Sequence, residues 1–383
     1  MKIFRIILSL FFVVGYATTY SAIPAGYYST ATGTGSTLKT QLYNIISGHT
    51  AKSYDLLWAA FKTTDDVNNA EVDVWDMYSD IPGPTPEPYL YQFVSGDQCG
   101  TYNSEGDCYN REHSFPASWF NDAAPMYTDL FHVIPADGYV NNRRSNYPLG
   151  IVGSADWTSQ NGSKVGACTY PGYSGKVFEP IDEYKGDFAR SYFYMATRYE
   201  NLIASWYNNS TEANAVLLNN AFPVFETWFL TMLSEWHEAD PVSAKETDRN
   251  DAVYAIQNNR NPFIDHPEYV NQIWGVGQGT VTGKIEAGKP TPSGSTLDFG
   301  TVSTAAAKNL QVKTADITGD LTVAVTGSMF SASTATISMT QANAGYEITV
   351  TYTPTANGTH TGTLTISGGG LNPAFTVNLT GEK

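Results

Sequence analysis

Two short stretches concentrate the residues whose types could do chemistry together. The first is Asn110-Arg111-Glu112-His113-Ser114-Phe115-Pro116, which places a carboxylate beside an imidazole. An imidazole titrates near neutrality and can accept a proton from a substrate or a water. Successive residues on a strand face opposite sides, so Glu112 and His113 meet at one point only through a twist, a bulge or a metal-bridging water. The second stretch runs from Asp129 to Asn146. There Pro135 and Asp137 precede a helix expected to begin at about Gly138, with Asp137 as its cap. On such a helix Asn141, Arg144 and Ser145 share a face, which aims an amide oxygen and a cation back at the strand. Either stretch alone is compatible with ordinary surface and packing roles.

Other candidates carry less. Trp236-His237-Glu238-Ala239-Asp240 matches no zinc spacing and reads as a packed histidine closing a long helix. Ile264-Asp265-His266-Pro267-Glu268 reads as a turn into a short helix. Glu179, Asp182, Glu183 and Asp187 form an acidic run of the kind that is usually solvated. The sequence holds no G-x-S-x-G motif and no phosphate-cradling glycine pattern, so neither serine-nucleophile chemistry nor a nucleotide cofactor is implied.

The elements that must position these residues belong to a folded chain. Its 383 residues are 42% hydrophobic, with 25 Tyr, 18 Phe and 8 Trp, enough apolar area for two domains. The formal charge of −16 excludes a generally basic surface that would coat a polyanion, yet allows one local site where a cation offsets the field. Residues 1–22 contribute +2 and residues 289–383 contribute −1, so the middle holds −17 and nearly all ionisable chemistry. The N-terminus pairs Lys2 and Arg5 with an apolar run from Ile6 to Val14, which reads as a signal peptide over residues 1–22. No apolar run is long enough for a membrane span.

In an exported chain Cys99 and Cys108, nine positions apart across a turn-rich segment, can close a small disulfide loop, leaving Cys168 free and buried. Helical spacing occurs at 38–47, 54–61, 187–206 and 215–237, with extended pieces at 109–114 and 130–134. Glycine and proline mark a linker at 283–295. Beyond it, residues 296–383 carry short alternating runs at 321–325, 346–352, 363–366 and 375–379, the pattern of a small antiparallel β-sandwich.

The order of Arg111-Glu112-His113, Asp129-Leu130, Pro135-Ala136, Gly138, Val140-Asn141 and Arg144-Ser145-Asn146-Tyr147-Pro148 resembles the bacterial endonuclease I family of ββα-metal (His-Me finger) nucleases. Tyr194-Met195-Ala196-Thr197-Arg198-Tyr199 and Asn259-Arg260-Asn261-Pro262-Phe263 are also similar to that family, so the resemblance extends over most of residues 23–274. The C-terminal part resembles immunoglobulin-like accessory modules of secreted bacterial proteins. The resemblance implies that Glu112 and Asn141 hold Mg²⁺, with Mn²⁺ or Ca²⁺ as alternatives, and that His113 is the general base. It implies products with 5′-phosphate and 3′-hydroxyl ends. Phe131 stands where many members have a histidine, which leaves His132. Residues 114–128 contain no Lys or Arg for the product phosphate, so Arg144 is the first candidate for that role. Arg111, Arg143, His132 and Asn146 are the remaining substrate-binding candidates.

The expected fold is therefore α+β: a mostly helical nuclease domain over 23–282 containing a ββα-metal motif, then an immunoglobulin-like sandwich over 296–383. The expected activity is hydrolysis of DNA, with RNA as a second substrate, at little sequence preference. The expected location is outside the cell or at its surface rather than the periplasm, with the sandwich contacting surface or matrix. Two rivals stand beside it. One is a secreted hydrolase, such as a glycosidase, acting through paired carboxylates in an aromatic cleft. The other is a non-enzymatic surface-binding protein with a degenerate nuclease domain.

Overall fold

The computed structural model describes residues 23–383 except 69, 84–85, 276–279, 285–293, 316, 318, 370 and 372–373. The expected signal peptide and most of the expected linker lie outside the described residues.

The first half begins with helices α1 (Gly35–Ile46) and α2 (Leu57–Thr64), close to where apolar spacing places them. Strand β1 (Tyr109–His113) pairs antiparallel with β2 (Val133–Asp137), with Tyr109 opposite Asp137 and His113 opposite Val133. Helix α3 (Gly138–Arg144) follows without a break, and the Asp137 carboxylate accepts the Val140 N–H at 2.8 Å, the cap expected from the sequence. Strand β2 starts three residues later than the extended piece predicted at 130–134. The reason is Asp129, whose side chain accepts the Phe131 N–H and whose carbonyl accepts the N–H groups of His132 and Val133, turning residues 130–132 into a bend. Cys99 and Cys108 are joined as a disulfide, and segment 97–99 lies beside the start of β1 through Cys99 N–H to Tyr109 O and Tyr109 N–H to Asp97 O. Cys168 is free and buried.

A three-stranded sheet, β3 (Val152–Thr158), β4 (Lys164–Cys168) and β5 (Lys176–Glu179), leads into α4 (Lys185–Arg198). From Phe188 to Arg198 every residue of α4 is buried, so it forms the axis of the first apolar core. Helices α5 (Glu200–Ile203), α6 (Thr211–Val216), α7 (Thr227–Ala239), α8 (Ala244–Gln257), α9 (Pro262–Asp265) and α10 (Tyr269–Trp274) complete the shell. The single helix expected over 215–237 is two, because Pro223 interrupts the helical run between Val216 and Thr227. The run expected over 187–206 likewise divides at Tyr199.

The C-terminal part is β-rich. Strand β6 (Thr280–Lys284) pairs with β8 (Ala306–Ala315), so residues 280–284 stand in a sheet that the sequence pattern does not reach before residue 296. The remaining strands are β7 (Ser295–Thr301), β9 (Leu321–Val325), β10 (Phe330–Ala332), β11 (Thr336–Ile337), β12 (Tyr346–Tyr352), β13 (Thr359–Gly368) and β14 (Phe375–Glu382), with one helix, α11 (Met339–Ala344). They form one sheet in the order β10-β12-β8-β6 and another in the order β11-β9-β13-β14-β7. Most neighbours run antiparallel, but β14 and β7 are parallel. Alternate residues such as Ile348, Val350 and Tyr352 or Leu364 and Ile366 fill a second apolar core that shares no residue with the first. The chain is thus mixed α+β with a β-rich C-terminal region.

Candidate active site

The pairing of β1 with β2 is regular from Tyr109 to His113, so no bulge brings Glu112 and His113 to one side. Two neighbouring faces result. Asn110 and Glu112 lean toward α3, whereas Arg111 and His113 contact Tyr54, Trp58 and Tyr127.

On the α3 face, Glu112 is buried, and its Oε1 accepts the Tyr78 hydroxyl at 2.8 Å and lies 3.5 Å from Arg144 Nη1. Burial pushes its carboxyl above the usual range, while Arg144 and the Tyr78 hydroxyl pull the other way. The Asn141 amide nitrogen donates to Asn110 Oδ1 at 2.8 Å, which turns the Asn141 carbonyl oxygen away from Asn110. Asn110 is absent from the sequence-derived site, yet its signal was available. It lies two residues before Glu112, and strand positions i and i+2 share a face.

On the other face, His113 is half-buried, with its ring 4.7 Å from that of Tyr127 at an interplanar angle of 28°. Its Nε2 lies 3.0 Å from the Tyr127 carbonyl oxygen. A carbonyl can only accept, so Nε2 carries the proton and Nδ1 is left as the acceptor. Burial, aided by the neighbouring His132, pulls the imidazole down to about 3. Arg111 stacks 3.5 Å from the Tyr54 ring centroid and 4.4 Å from that of Trp58, and it donates to the Tyr54 carbonyl.

Two sequence assignments change. Arg144 is 1% exposed and donates to the carbonyls of His113, Ser114 and Ser145. A guanidinium so enclosed presents no free edge to a product phosphate in this structure; it balances Glu112 and ties α3 to the end of β1. His132 is fully buried, with Nε2 at 2.7 Å from the Met126 carbonyl and its ring 5.6 Å from that of His113. It packs behind the candidate base and is out of reach of a substrate. Arg143 and Asn146 are exposed, and the Arg143 guanidinium lies 5.4 Å from the Trp157 ring centroid.

The other sequence candidates are structural. His237 is buried, with Nε2 at 3.0 Å from the Pro267 carbonyl and Nδ1 beside Arg190, and burial pulls it down to about 4. Asp265 pairs with Arg260, and Glu179 and Asp182 pair with Lys185. Asp187 is buried beside Arg190.

Among the described residues no group of three or more His, Cys, Asp or Glu could hold a metal ion. The donor set on the α3 face is instead one buried carboxylate and one amide oxygen. Both are hard donors, and so small a set suits Mg²⁺, which keeps several waters and takes few protein ligands.

The family described as Endonuclease I matches residues 34–268. The extracellular ribonuclease of Bacillus amyloliquefaciens is 38% identical over 260 residues, 67% of this chain and 80% of that protein. The extracellular ribonuclease of Bacillus subtilis (strain 168) is 36% identical over 252 residues, 65% and 78% of the two chains. The periplasmic deoxyribonuclease of Aeromonas hydrophila is 26% identical over 142 residues, 37% and 48%. With a match that covers more than half of its length, β1, β2 and α3 included, this chain belongs to the endonuclease I family.

Proposed function

We propose that the chain is an exported endonuclease that hydrolyses phosphodiester bonds in nucleic acid, with β1, β2 and α3 as its ββα unit. The observation that carries this reading is the state of His113. Its Nε2 lies on the Tyr127 carbonyl, which can only accept, and burial favours the neutral ring, so Nδ1 is left as a proton acceptor at the end of the strand that also carries Glu112. His113 takes a proton from the attacking water, and the stacked Tyr127 ring keeps the imidazole in one orientation. Glu112 and Asn141 are the residues that would hold a divalent cation, which would supply Lewis-acid stabilisation of the charge that develops on the phosphate. Tyr78 and Arg144 fix Glu112, and Asn110 fixes Asn141, so both oxygens are oriented before substrate arrives.

Substrate is read as nucleic acid with little base selection. The relatives named ribonucleases match over two thirds of this chain, and the one named a deoxyribonuclease over little more than one third, which makes RNA a substrate to test beside DNA. Export rests on the expected signal peptide and on relatives named extracellular or periplasmic. The C-terminal β-rich region is read as an accessory module that contacts cell surface or matrix.

The test incubates the exported chain with supercoiled plasmid and with structured RNA, in Mg²⁺ or in EDTA. Wild type is expected to cut, EDTA to stop it, and His113→Ala and Asn141→Ala each to lose at least about a hundredfold. Survival of both polymers with Mg²⁺ across about pH 6 to 9, where a neutral imidazole is available to accept a proton, overturns the assignment.

A further inference from the structure

A run of aromatic rings leads away from the Asn110–Asn141 pair along one side of α3. It starts at Gly138, where a methyl group would lie 2.6 Å from the Tyr102 ring and 3.4 Å from Asn110 Nδ2, so Tyr102 sits directly over the helix start beside the site. From Tyr102 the next ring is Tyr139, 6.5 Å away between centroids at an interplanar angle of 88°, and then Trp157 on β3, 6.3 Å further at 62°. None of these rings is stacked face to face on the next, and all three side chains are half-buried rather than in the core, so each keeps part of its ring surface toward solvent.

At the far end Arg143 is exposed, lies over the Trp157 ring and makes no hydrogen bond or ion pair among the described residues. Tyr139 and Arg143 are four apart on α3 and therefore share a face. Nearby Lys176 is engaged by Asp156 at 2.8 Å, which leaves Arg143 as the available cation of this strip. In a chain of net charge −16, an exposed guanidinium beside half-buried aromatic rings is a local exception to the negative field.

We infer that Tyr102, Tyr139 and Trp157, ending at Arg143, form a track that holds an unpaired stretch of the nucleic acid on one side of the cleavage point. The inference rests on the function proposed above and narrows its substrate. Bases inside a duplex already stack on their neighbours and cannot offer a face to a side chain, whereas unpaired bases can. Stacking is indifferent to base identity, which agrees with low sequence preference, and Arg143 contributes one phosphate contact. Loops, frayed ends and single strands of either sugar then bind better than uninterrupted duplex.

The experiment measures KM and kcat of the full exported chain with Mg²⁺ on a labelled oligonucleotide, as single-stranded DNA, as single-stranded RNA and as perfectly paired duplex. Trp157→Ala is expected to raise KM for both single strands about tenfold, with far less change for duplex and with most of the loss in KM rather than kcat. Trp157→Phe keeps a stacking face and is expected to recover most of that loss. Arg143→Ala, at an exposed position, is expected to reduce the slope of log KM against log salt by about 0.7 on single strands. An effect on DNA alone or RNA alone assigns the track to that polymer and supports it. The track is overturned if Trp157→Ala leaves KM on single strands within about twofold, or weakens duplex and single strands equally. Wild type that cuts no nucleic acid overturns the proposed function itself, a result distinct from either outcome on the track.

Discussion

At the scale of single residues, chemistry depends on partners that fix protonation and direction. Burial pulls the His113 imidazole down to about 3, so the proposed base is expected to be neutral through the neutral pH range and not to set the acid limb of activity. Glu112 is expected to set it, because burial raises its carboxyl and only the ionised form would hold a cation. Removing the Tyr78 hydroxyl takes away a hydrogen bond that favours the ionised form, so Tyr78→Phe is expected to move the acid limb of kcat/KM to higher pH. A limb that stays in place while His113 variants move it would assign the limb to the imidazole. Asn110 acts through Asn141: Asn110→Ala is expected to raise the Mg²⁺ concentration for half-maximal cleavage by about 10- to 100-fold, read from a metal titration. The motif singles out Glu112, His113 and Asn141 in the sequence, and the structure sets them on β1 and α3. Tyr78, 34 residues before Glu112, is not singled out, because only tertiary folding brings its hydroxyl there. Arg144 lies on the helix face that its spacing predicts, but it is buried there rather than open to solvent. Periodicity tells where a side chain points, not that Ser114 and Tyr192 close over it.

Local signals had to compete with long-range ones at the scale of elements. Helix α3 begins where its sequence says, because Pro135 and Asp137 act within four residues of chain. Strand β2 begins late because the Asp129 carboxylate is claimed from afar by the hydroxyls of Tyr194 and Tyr199 and by the Gln257 amide, and those partners hold the bend at 130–132. The break between α6 and α7 is legible in Pro223, whose local effect outweighs the apolar spacing that runs through it. Asp137 joins several elements at once. Besides capping α3 it accepts the Tyr91 hydroxyl at 2.5 Å and the Gly106 N–H at 2.9 Å, and its own N–H donates to Asp76. Asp137→Ala is therefore expected to cost about 2–4 kcal/mol, more than a cap alone, because it also strands the buried Tyr91 hydroxyl and releases the N–H of the exposed turn at Gly106. Chemical denaturation measures this, and a loss below about 1 kcal/mol would mean that the turn at Gly106 relaxes to solvent.

For the whole molecule, the two apolar cores divide the work. The first takes residues from Tyr28 to Trp274 and includes Phe115, Phe120, Tyr192 and the other rings that pack behind β1 and α3. The second takes residues from Leu297 to Leu379 and is closed by strands that pair only with one another, β6 included. Every residue placed here in the site or on the aromatic track lies in the first part, between Tyr54 and Trp157 or behind them. A core that is complete without the other is expected to fold and unfold as its own cooperative unit. Cutting the chain after Gly275 should then leave a protein that unfolds in one transition and cleaves plasmid and RNA with kcat/KM within about threefold of the full chain, since no catalytic or track residue is lost. The full chain should show a second transition that the shortened one lacks, read by calorimetry. A shortened chain that folds but loses cleavage would show that the β-rich region contributes to substrate binding rather than to attachment. One that fails to fold would show that β6 to β14 support the first core through contacts beyond their own sheets.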